Sequence, residues 1–117
     1  MGDGFVLERV KVNGLDYKIK IVERMMGNQV GEIDVFEGVI YIEDNAPRGQ
    51  LITLLHEIIH AILYSAGYSN LDDEEHDEKF VDAIANGLYT VIKDNPELIE
   101  LIRREEIEED EAGPAGE

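Results

Sequence analysis

The sequence has no cysteine, no tryptophan and only three prolines, and its ten Lys and Arg face 27 Asp and Glu. Without cysteine there is no disulfide, thiolate metal site, iron–sulfur cluster or cysteine nucleophile. The formal charge of −17 is the opposite of the basic patches that nucleic acid and anionic membranes demand, so neither is an expected partner. No apolar run approaches the ~20 residues that span a bilayer. The opening MGDGFVLERV has no basic region followed by an apolar stretch, so no signal peptide is expected. These absences read as a soluble, cytoplasmic protein. What is present is enough for one core: 44% of 117 residues are hydrophobic, a size that suits one domain and not two.

Residues 1–106 read as that domain. Residues 107–117 read as an acidic disordered tail, because like charges with little apolar surface have nothing to bury. The first half of the domain carries strand patterns. In Leu15 to Glu23, Tyr17, Ile19 and Ile21 alternate with Asp16, Lys18 and Lys20. Phe5 to Val12 is a second strand candidate, with Asn13-Gly14 as the hairpin turn. Ile33 to Phe36 and Val39 to Glu43 suggest another hairpin around Glu37-Gly38.

The second half carries helix patterns. Pro47 suits a first helical turn. LITLLHEIIHAILYSA is apolar on nearly every face, which reads as a buried helix that Gly67 stops. Asp72 with Glu75 fits a capping box for the next helix. Its apolar stripe is Phe80, Val81, Ile84, Leu88, Val91 and Ile92, and Asn95-Pro96 ends it. Leu98 to Ile102 suggests a short terminal helix. The expected fold is α+β: a small, mostly antiparallel sheet packed on the buried helix, with the second helix closing the site.

Within the buried helix stands His56-Glu57-Ile58-Ile59-His60, the pattern HExxH. Residues i and i+4 share a helix face, so both imidazoles can converge on one Zn²⁺. Glu57 points about 100° further round, where a base for activating water belongs. With three His and 17 Glu in the chain, chance order produces this pattern only roughly 0.01 times. Two histidines and a glutamate in an apolar helix are costly unless they are partnered.

A catalytic zinc wants a third protein ligand and an open position. Position 63 is Leu and position 66 is Ala, so a ligand further along the same helix, as in metzincins, is excluded. His76, Asp77, Glu78 and Asp82 remain as candidates. On a helical wheel Glu78 and Asp82 border the apolar stripe, whereas Asp77 and Glu74 point outward and suit a helix N-terminus. His76 reads as a solvated surface histidine, and Tyr64, Tyr68 and Tyr89 as half-buried aromatics.

The pair HExxH and Glu78-Lys79-Phe80-Val81-Asp82 resembles the gluzincins, the thermolysin-type zinc peptidases, which combine HExxH with a downstream ExxxD. From about Gly31 to Glu97 the chain is similar to small phage- and prophage-encoded metallopeptidases grouped with the ImmA/IrrE peptidases. The resemblance implies Glu78 as third zinc ligand beside His56 and His60. It implies Asp82 as the carboxylate that fixes a histidine, His56, through its other nitrogen. It also implies hydrolysis of a peptide or protein substrate with Glu57 as general base, and the acidity points to basic substrates. The chain departs from the larger gluzincins in having no histidine after His76; Tyr64, Tyr68 and Tyr89 are the substitutes for a transition-state donor. The alternative expectation is a zinc-binding module that is latent or not proteolytic.

Overall fold

The computed structural model describes residues 7–68 and 74–112, with side chains as far as Glu105. Four strands come first: β1 (Arg9–Val12), β2 (Leu15–Val22), β3 (Gly31–Asp34) and β4 (Val39–Glu43). Three helices follow: α1 (Pro47–Ser65), α2 (Glu78–Asp94) and α3 (Pro96–Ala112). A single 3₁₀ turn, Glu74–His76, precedes α2. The architecture is α+β, with an open and mostly antiparallel sheet.

Asn13 and Gly14 take positive φ (50° and 87°) and close the first hairpin, the conformation a two-residue turn needs between twisted strands. The second hairpin differs from expectation. Its first strand lies two residues earlier, and its connection has four residues, 35–38. The Asp34 carboxylate accepts from the backbone N–H of Phe36 (3.1 Å) and Glu37 (2.9 Å), while Gly38 N–H donates to the Asp34 carbonyl (2.8 Å). A side chain that satisfies two turn amides ends the strand at that residue.

The sheet order is β1-β2-β4-β3, and β2 pairs with β4 in parallel. This interior pair places Ile40 and Ile42 at 0% exposure and leaves β3 at the sheet edge. Helix α1 lies between two apolar clusters. On its sheet side, Leu54 and Ala61 pack with Val12, Tyr17, Ile40 and Ile42. On its other side, Ile59 packs with Val81 and Ala85 of α2. Each large side chain so buried contributes about 1.5–3 kcal/mol.

Three helical expectations need correction. Helix α1 is not buried all round, since Leu51 and Ile62 are exposed. The N-cap of α2 is Asp77, whose carboxylate accepts from Phe80 N–H at 3.0 Å; Asp72 lies outside the described residues. Of the predicted α2 stripe only Val81 is buried, joined by Ala85, because α1 covers just one narrow strip of that face. Among the described elements α3 packs only on α2. It is longer than the short helix expected and continues through residues 107–112, where glutamate is a good helix former. Among the described residues no helix is long and apolar enough to cross a membrane.

Candidate metal centre

The packing that joins α1 to α2 also builds the site. Val81 and Ala85 stand three and seven residues beyond Glu78, so the face of α2 that meets Ile59 is the face that carries Glu78. Asp77 stops the helix one residue before it and fixes where that carboxylate begins. His56 and His60 project from α1 one turn apart. His56 Nε2 lies 2.7 Å and His60 Nε2 3.4 Å from the same oxygen, Glu78 Oε1. Ligand atoms of His56, His60 and Glu78 all fall within 4.8 Å of one another.

That donor set fits a divalent ion. Tetrahedral ligands about 2.0–2.1 Å from one ion stand roughly 3.3 Å apart. The His60–Glu78 separation has this value, and His56 lies closer to the same carboxylate oxygen. Two imidazoles with one carboxylate are a borderline set, suited to zinc and to several other first-row metals. The chemistry of the site therefore supports metal binding, without deciding which metal.

Asp82, one turn beyond Glu78, places Oδ1 at 3.4 Å from His56 Nδ1, the nitrogen that faces away from Glu78. Asp77, used as the helix cap, is not brought into the cluster. His76 is not the solvated histidine that its acidic neighbours suggested: it is 3% exposed. Its Nδ1 lies 2.7 Å from His60 Nδ1, and its Nε2 meets the backbone carbonyl of Tyr68.

Glu57 is 6% exposed and lines the same cavity as the three ligand candidates. Burial first, then the nearby Glu78 and Glu32 carboxylates, push its carboxyl up from 4.5 to about 8. Burial also holds the His60 ring below the usual histidine range, against the pull of Glu78 and with the help of His56 and His76. A neutral ring is the form that binds metal. Tyr64, one turn after His60, lines the cavity too, and its hydroxyl is raised by burial, then by Glu57 and Tyr17. Tyr68 instead supplies its carbonyl to His76, and Tyr89 lies under the Arg48 guanidinium, 5.2 Å from its ring centroid.

The cavity, about 500 Å³, is walled on one side by α1 and on the other by residues 28–33 at the sheet edge. Gly31 makes this possible. A Cβ there would stand 2.5 Å from Thr53 Cγ2 and 2.9 Å from Glu57 Oε2, so only glycine lets β3 pass this close to Glu57. A glycine opening a strand signals a close approach, but nothing local says to what. Four carboxylates line the cavity, Glu32, Glu57, Glu78 and Asp82, and no Lys or Arg does so among the described residues. Comparison with protein-family models, curated proteins and solved structures finds no match to this chain.

Proposed function

We propose that the chain is a zinc-dependent metallopeptidase of the gluzincin kind. One observation carries the reading: His56, His60 and Glu78 converge beside a buried Glu57 in a cavity walled by β3, the edge strand among the described residues. His56, His60 and Glu78 hold the ion. Bound there, zinc supplies Lewis acidity and acidifies water at neutral pH.

Glu57 takes the proton from the attacking water and delivers it to the leaving amine. Its raised pKa in the metal-free protein matches a group that must both accept and donate near neutrality. A nearby cation shifts it toward the ionised form required of a base. Asp82 orients His56 through Nδ1. Tyr64, raised above the usual tyrosine range and hence a neutral donor at pH 7, is the candidate to stabilise the oxyanion. The outer edge of β3, unpaired among the described residues, binds substrate as an added strand, and the four carboxylates favour basic sequences.

Metal analysis and a peptidase assay on lysine- and arginine-rich protein substrates test this reading. The expected result is one zinc per chain, lost in His56→Ala and His60→Ala, and peptide cleavage that chelation stops. No stoichiometric metal refutes the site. Metal without cleavage of any substrate refutes the peptidase and leaves a metal-binding module.

A further inference from the structure

His76 is a buried titratable side chain that the proposed chemistry does not use. Its two contacts decide where the protons of two rings lie. The Tyr68 carbonyl has no proton to give, so His76 Nε2 is the donor in that hydrogen bond. In the one-proton form of the ring, this leaves His76 Nδ1 as a bare acceptor. The His60 Nδ1 opposite it at 2.7 Å must then be the donor. His60 Nε2 is left with a free lone pair, so its 3.4 Å approach to the acceptor oxygen Glu78 Oε1 is not a hydrogen bond in this arrangement, and the shorter Nδ1–Nδ1 contact decides the tautomer.

The ring geometry agrees. The His60 and His76 planes differ by 11° and their centroids are 5.0 Å apart. Two rings meeting nitrogen to nitrogen in one plane are separated by the N···N gap plus one ring diameter, and these values describe that arrangement. Face-to-face stacking would bring the centroids closer. The N–H and the lone pair therefore point along the line between the rings, as a strong hydrogen bond requires.

The far end of the chain is also anchored. Gly67, at φ 108°, closes α1 with Gly67 N–H bonded to the Tyr64 carbonyl (3.2 Å) and Tyr68 N–H to the Leu63 carbonyl (2.9 Å). This is a Schellman motif, and it holds the Tyr68 peptide against the last turn of the helix that carries His60. The Tyr64 ring, 5.0 Å from that of His76, covers it from one side.

We infer that His76 is a positioning residue, which fixes His60 as the Nδ1–H tautomer and so keeps Nε2 available as a ligand. The relay runs from the Tyr68 carbonyl through both rings to the metal-binding nitrogen. It gives His60 the outer partner that Asp82 gives His56. A solvated histidine interchanges its tautomers freely; here one of them is excluded by a backbone carbonyl. The inference rests on the metal site proposed above, but the tautomer exists in the metal-free protein and is measurable there.

The experiment uses the full chain, with ¹⁵N-labelled histidine and long-range ¹H–¹⁵N correlation on metal-free protein at mildly alkaline pH. Zn²⁺ affinity is measured in parallel by competition with a chromophoric chelator. Wild type is expected to show His60 protonated at Nδ1 and His76 at Nε2. His76→Leu removes the acceptor; it should release the His60 tautomer and weaken Zn²⁺ about 10- to 100-fold. His76→Asn places an amide oxygen near the position of Nδ1 and should recover most of that affinity, which a purely packing role for the ring would not explain. His60 protonated at Nε2 in wild type overturns the inference even if His76→Leu does not fold. So does a Zn²⁺ affinity unchanged in a folded His76→Leu. Wild type that binds no Zn²⁺ overturns the ligand role assigned to the relay along with the proposed function, whatever the tautomer.

Discussion

Replacing Glu57 by glutamine removes the only buried carboxylate among the described residues while keeping its shape. In the metal-free protein, burial and then Glu78 and Glu32 raise that carboxyl from 4.5 to about 8. Folding therefore takes up a proton at Glu57 between these two values. Its stabilising contribution is fully present below about pH 4.5 and is lost as pH rises through about 8. At about 1.36 kcal/mol per pH unit the whole swing is on the order of 5 kcal/mol, of which about 3 kcal/mol is gone by pH 7. Glu57→Gln carries no such dependence. Urea unfolding of chelator-treated protein should show Glu57→Gln gaining about 3 kcal/mol on wild type between pH 4.5 and 7, the other carboxylates cancelling in the difference. Saturating Zn²⁺ should shrink the gap, because a cation beside Glu57 favours its ionised form. Peptidase activity should fall about 10²- to 10⁴-fold with zinc still bound. A stability difference that does not change with pH refutes the buried-carboxyl reasoning. Loss of zinc in Glu57→Gln refutes its role as base rather than ligand.

Glu78→Ala should remove most zinc affinity, whereas Asp82→Ala should cost about 10- to 100-fold, as read by chelator competition; the reverse order would exchange their roles. Gly31→Ala should destabilise the fold by about 1–3 kcal/mol in thermal or urea unfolding, because Thr53 and Glu57 occupy the space of the new methyl. An unchanged midpoint would mean that the sheet edge stands further from α1. Removing residues 106–117 should leave the melting temperature and zinc content close to those of the full chain, since the α3 side chains Leu98, Leu101 and Ile102 all precede the cut and, among the described elements, α3 touches only α2. A drop of many degrees would show that the distal turns of α3 support the domain.

Local patterns were enough for part of this protein. A strand needs only alternation, a tight hairpin only two residues that accept positive φ, and a helix start only a proline at its first turn. These features stand in the chain at Leu15 to Val22, Asn13-Gly14 and Pro47. The convergence of His56 with His60 was equally legible, because i and i+4 share a face of any helix. Other features depend on residues brought together from distant parts of the chain. The parallel pairing of β2 with β4 puts β3 at the edge, and from there Gly31 reaches Glu57; no local period encodes that contact. The exposure of Phe80, Ile84 and Leu88 depends on how much of α2 a single neighbouring helix can cover. His76 shows the division most clearly. Its flanks, Glu74, Glu75 and Asp77, are those of a surface residue, and alternation and propensity carry no more information than that. Burial and proton placement came from tertiary packing, which set one ring nitrogen against His60 and the other against the carbonyl at the end of α1.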